Sequence, residues 1–73
     1  MSEIEPRSLG EALPLEMTRV RDRLIPMYLS VGPAGLFAVT MMRAALDRAQ
    51  MAMIEGDTVA MIRVYQELKE FKE

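Results

Sequence analysis

Few residues in this chain are able to do chemistry. There is no His and no Cys. That removes imidazole acid–base catalysis, thiolate nucleophiles, disulfides and Cys/His metal sites. Carboxylates, Ser, Thr, Lys and Tyr remain. Asp47, Glu55 and Asp57 come closest to a carboxylate group. A two-carboxylate mechanism needs its pair to face each other across a cleft. Asp47 and Glu55 instead fall well apart around one predicted helix, and Asp57 is better read as a helix cap. A chain of 73 residues also has little room for a substrate cavity. The sequence thus offers no catalytic, cofactor-binding or metal-ligating residues. A non-enzymatic protein without a cofactor is expected.

Two further patterns have a chemical reading and a structural one. Arg19, Arg21 and Arg23 are close in sequence but spread around a helix, with Glu16 and Asp22 between them. This reads as a solvated face with local ion pairs. No aromatic or Lys-rich neighbour supports a nucleic-acid patch, and the net charge of −2 gives no basic excess. Gly32-Pro33-Ala34-Gly35 is a glycine-rich turn before a helix, a place where phosphate can bind. No strand precedes it, and neither a Gly-Lys-Ser/Thr sequence nor GxGxxG follows. It reads as a turn with Pro33 at the first helical position.

The elements that position these residues are helices throughout. No period-two run with hairpin residues occurs. In residues 13–31, Leu13, Met17, Val20, Leu24, Tyr28 and Val31 recur at spacings of three and four and draw one stripe. Pro14 suits the first turn of that helix. Pro26 removes the bond to the Asp22 carbonyl and its ring crowds that turn, so a kink or a break is expected there. Leu15, Ile25 and Leu29 fall off the stripe.

Residues 33–55 form the central helix, around which the rest is organised. Ala38, Met41, Ala45, Ala49 and Ala52 line one side, flanked by Val39, Met42, Leu46 and Met53. This apolar arc covers about half the circumference, more than one packing partner needs. Leu36, Phe37, Met51 and Ile54 lie outside it. Gly56 is placed to end the helix in the left-handed conformation. Asp57 is then the N-cap of a third helix over residues 58–72, which buries Met61, Ile62, Val64, Tyr65 and Leu68. So short a connection predicts an antiparallel helical hairpin.

The run AMIEGDTVAMIRVYQEL resembles the turn between the two helices of a tetratricopeptide repeat. Aligned on Gly56-Asp57, Tyr65 falls on the aromatic position of that family. Met61 and Leu68 stand where the family prefers Ala, and its large first-helix positions are Arg48 and Ala52 here. The resemblance covers about half the chain and implies a shared hairpin geometry, not peptide binding. The segments LGEALPLEMTRVRDRL, VGPAGLFAVTMMRAAL and AMIEGDTVAMIRVYQELK are together similar to short uncharacterised proteins of proteobacterial genomes and their prophages. That resemblance implies a bacterial or phage accessory protein and supplies no site residues.

The expected architecture is therefore an all-α, three-helix domain over residues 12–73, behind a flexible tail over residues 1–11. The tail is acidic and has no apolar signal core. With the absence of Cys, it predicts a cytoplasmic protein. Residues 24–42 carry no charge, a span long enough for a bilayer. However, Pro26, Ser30, Gly32, Pro33 and Gly35 interrupt it, so no membrane contact is expected. A core this small rarely supplies more than roughly 3–5 kcal/mol, and no disulfide or Cys/His metal site adds to it. Self-association is the remaining common remedy, with a dimer as the expected state. Eight Met residues fit pliable contact surfaces. The candidate interface comprises Leu15, Ile25, Leu29, Leu36, Phe37, Met51 and Ile54. The alternatives are a module for a different protein partner and, as a third reading, a small membrane protein that uses residues 24–42.

Overall fold

A computed structural model describes residues 8–73. The described residues are almost entirely helical, with no strand among them. Three helical rods result. The first comprises α1 (Leu9–Arg19), one π-helical turn (Val20–Leu24) and α2 (Ile25–Leu29), which run on without a break. The others are α3 (Pro33–Glu55) and α4 (Thr58–Glu70). The proposed tail reaches less far than residue 11, because α1 starts at Leu9 rather than Leu13. Ser8 is the cap: its hydroxyl accepts from the Glu11 N–H at 3.3 Å. Ser-x-x-Glu is the sequence pattern of a capping box. The rest of the proposed tail, residues 1–7, lies outside the described residues. The early start places Pro14 in the second turn instead of the first. The bond it cannot donate leaves the carbonyl of Gly10, an exposed residue that water can reach.

Pro26 neither breaks the rod nor ends it. The turn just before it opens into π geometry, with the Ile25 N–H bonded to the Val20 carbonyl five residues back. This widening absorbs the clash that a proline ring causes in a tight α-turn. One extra residue in the turn rotates everything downstream by about 100° relative to the original stripe. Ile25 consequently swings into the core beside Leu24, with exposures of 7% and 0%. It is not a surface residue, and the sequence-based expectation for it was wrong. Val31, the last residue of the predicted stripe, falls beyond the end of α2 in the turn and is exposed.

The core is a single layer between the rods. Leu13, Val20, Leu24 and Ile25 meet Val39, Met42, Ala45 and Ala49 of α3, and Val64 and Leu68 of α4. The Cα envelope measures 37 × 31 × 15 Å. Its thin dimension fits two helix layers at an axial separation of about 8–10 Å. Both broad faces are therefore close to solvent. Met41 and Met53 of α3 and Ile62 of α4, expected inside, lie at the margins of their apolar arcs and are exposed. Phe71 leaves the helix with extended backbone and packs against the core instead of extending α4 to residue 72.

Two junctions hold the rods in place. Gly56 takes φ 66° at the end of α3, and the Asp57 carboxylate accepts from the Ala60 N–H at 3.1 Å. This is the αL stop and N-cap that the sequence predicts. The two-residue link returns α4 along α3 as an antiparallel hairpin. At the other end, the Ser30–Gly32 turn brings the last residues of α2 down onto the first turn of α3. Gly35 is buried at that crossing, and a Cβ there would sit 1.9 Å from the Tyr28 carbonyl oxygen. The chain's uncharged stretch is thus divided by a turn. No helix among the described residues is long and apolar enough to cross a membrane.

Replacing Gly35 tests this crossing. Gly35→Ala forces backbone apart and should cost about 3 kcal/mol, the upper end of overpacking. Gly10→Ala, whose Cβ would meet only the Ser8 hydroxyl at 3.7 Å, should be neutral or stabilise the chain by roughly 0.5–1 kcal/mol through helix propensity. Paired chemical-denaturation curves would check both. Equal effects from the two substitutions would contradict the close approach at Gly35.

Candidate interaction surface

Several polar groups in this fold are committed to structure. None of the described residues buries a polar or charged side chain out of solvent, and none of them forms a group of three or more acids placed to hold a metal. Asp47 and Glu55 are both exposed on α3, and Asp57 is occupied as a cap. A surface groove of about 470 Å³ runs between α3 and α4, lined by Arg48, Asp57, Arg63 and Glu67 among others. The Arg48 guanidinium donates to the Glu67 carboxylate within it. That pair links the two helices of the hairpin across the groove.

The three arginines of the first rod point to three different partners. Arg21 donates to the Asp22 carboxylate at 3.0 Å, and that hydrogen bond holds Asp22 below the usual carboxylate range. A lowered pKa stabilises the fold above the ordinary Asp range, and the benefit fades as pH falls through the lowered value. Both groups are exposed, so the pair is a weak staple. Arg23 lies 3.8 Å from Glu73. Arg19 pairs locally with Glu16, as its spacing predicts. It also donates to the Leu68 and Phe71 carbonyls, each at 3.0 Å. These acceptors belong to the C-terminal end of α4, where unsatisfied carbonyls concentrate and a cation is favoured. The Tyr28 hydroxyl donates to the Lys72 carbonyl at 2.9 Å close by. Sequence reasoning missed both anchors. They join residues more than forty positions apart, and no local pattern announces them.

Large apolar side chains are also accessible. Twelve large hydrophobic residues are exposed among the described residues, as many as form the buried hydrophobic core. Isolated surface hydrophobics are ordinary, whereas a contiguous patch marks an interaction site. Six of the seven candidate positions are exposed, from Leu29 at 43% to Phe37 at 75%; Ile25 is the exception already described. They do not form one group. Leu15 projects from α1, and Leu29 ends α2. Leu36, Phe37, Met51 and Ile54 share the solvent side of α3, opposite its buried Val39, Met42, Ala45, Ala49 and Ala52. Along that side Phe37, Thr40, Ala44, Asp47, Met51 and Ile54 recur at alternating intervals of three and four, and all six are exposed. This is the spacing of a helix-packing seam. The chain matches no known protein-family model, no curated protein and no solved structure.

The Arg19 anchor is open to a direct check. Arg19→Met keeps much of the apolar stem and removes the donors, at a cost of about 1.5–3 kcal/mol for hydrogen bonds from a charged group. Hydrogen exchange should show the last turn of α4 losing protection first. Arg19→Lys should recover only part of the loss, since an ammonium does not reproduce the planar donor fork.

Proposed function

We propose that this chain is a non-enzymatic helical interaction module that self-associates, with a dimer as the favoured state, through the solvent side of α3. One observation carries the reading: a seam-spaced row on the longest helix carries Phe37, Met51 and Ile54 into solvent. A second supports it. The core is one layer thick and has no covalent staple, so association adds burial that the monomer lacks. With Cys and His missing, only carboxylates, Ser, Thr, Lys and Tyr are left to an enzyme, and no two carboxylates face each other across a cleft in the expected helices. Absence of Cys also fits a cytoplasmic setting. A bacterial or prophage accessory role rests on the resemblance of the three helical segments alone.

A second reading is favoured by Leu15 and Leu29, exposed apolar residues away from the α3 row. These supply a separate contact surface for a different protein, and co-purification from the native host would distinguish it by a stoichiometric foreign partner.

The double substitution Met51→Glu with Ile54→Lys tests the main reading. Sedimentation should show the wild-type dimer converted to monomer, with far-UV circular dichroism unchanged, because both side chains are exposed in the single chain. Loss of helicity would assign these residues to the core, and an undiminished dimer would move the interface elsewhere.

A further inference from the structure

Resting on that reading, we propose that the second copy packs antiparallel to the first along α3, about a two-fold axis that passes between the two helices at the level of Ala45 and Leu46. The row Phe37, Thr40, Ala44, Asp47, Met51, Ile54 has the same spacing read in either direction. Reversing one copy therefore sets Phe37 against Ile54 of its mate, Thr40 against Met51, and Ala44 against Asp47. Each layer then joins a larger residue to a smaller or more compliant one. A parallel pair would set every residue against itself, including Phe37 on Phe37.

Charge separates the two arrangements more strongly than shape. Asp47 is the one ionised residue in the row. In a parallel pair the two Asp47 carboxylates would meet in the same layer and lose solvent together, a like-charge contact that opposes association. In the antiparallel pair each Asp47 faces the methyl group of Ala44, and the two carboxylates fall in adjacent layers, offset by about 4.5 Å along the axis; what favours this arrangement is the arginine brought beside each of them. Arg43 sits one turn before Asp47, on the same flank of α3. The two-fold axis keeps that flank on the same side in both copies. Each Arg43 then lies within about one residue rise of the opposite Asp47 along the axis, forming two reciprocal ion pairs at the centre. Arg48, on the other flank, is already committed to Glu67 within its own chain. The occupant that matches this face is thus a second copy of the face itself. Isologous contact of this kind is the commonest route to a closed dimer.

The absence of Cys allows a cross-linking test without background. Thr40→Cys and Met51→Cys are prepared as separate full-length proteins, then oxidised alone and as an equimolar mixture. The antiparallel pairing predicts a disulfide-linked dimer in the mixture only. Within either single variant, the two like positions would lie about 16 Å apart along the axis, beyond the reach of a disulfide. Disulfide dimers in the separate samples and not specifically in the mixture would overturn the antiparallel pairing in favour of a parallel one. No cross-link in any sample, with sedimentation still reporting a dimer, would also overturn it while leaving self-association standing. A monomeric wild-type protein across the micromolar range would remove the underlying reading and this pairing with it.

Discussion

The fold depends on a backbone contact. Where α2 meets α3, the Tyr28 carbonyl occupies space that any side chain at Gly35 would need. Backbone against backbone brings the two helices as close as they can come. That closeness fixes where the first rod lies over the hairpin of α3 and α4. Leu13, Val20, Leu24 and Ile25 can then reach Met42, Ala45 and Ala49 on one side and Val64 and Leu68 on the other. With a larger residue at position 35, the rods would separate at the turn and the single core layer would thin from that end. The alanines of α3 extend the same principle along the helix, since small residues let neighbouring backbones approach.

The π turn before Pro26 is the second element of this arrangement. A straight α-helix would carry Ile25 away from the hairpin, on the flank where its sequence position places it. The added residue turns it inward, and Leu24 and Ile25 are buried together. A residue that is a liability in a regular helix thereby widens the apolar face of the first rod just before the crossing at Gly35. Arg19 and Tyr28 then draw the last residues of the chain onto the same rod. The far end of α4 is held by side chains from the opposite end of the sequence.

How legible this was in the sequence follows from the range of each interaction. Gly56 and Asp57 act within four residues of themselves, so their stop and cap were readable, and the hairpin with them. The Ser8 cap is equally local, with its Ser-x-x-Glu pattern in the sequence; placing Pro14 in the first turn set the expected start four residues too late. At Pro26 the sequence identified the disturbance but not its form. Whether a proline kinks, breaks or widens a helix is decided by what packs on either side. The burial of Ile25 followed from that choice and was misread with it. Arg19, Tyr28 and Phe71 act through partners that only the fold brings near. Of the candidate surface, the α3 residues were legible because the 3.6 period of a 23-residue helix sets them opposite its buried arc, whereas Met41 and Met53 at the margins of that arc were misplaced.

The same thinness that makes Gly35 critical also gives the α3 row its significance. A two-layer slab cannot cover both sides of its central helix, and here the first rod and α4 occupy only the inner side. A helix made for a solvated outer side would carry charge at intervals of three and four. This one carries Phe37, Thr40, Ala44, Met51 and Ile54 at those positions, with Asp47 alone at the middle. A lone carboxylate flanked by Arg43 does little for the solubility of the helix ends. It would discriminate between orientations of a packing partner, because only the antiparallel one sets each Asp47 beside an Arg43 of the mate. Apolar ends supply attraction in either orientation. In the proposed pair the central charge would supply the choice, and the dimension in which the single chain is thinnest is the one that a second copy would thicken.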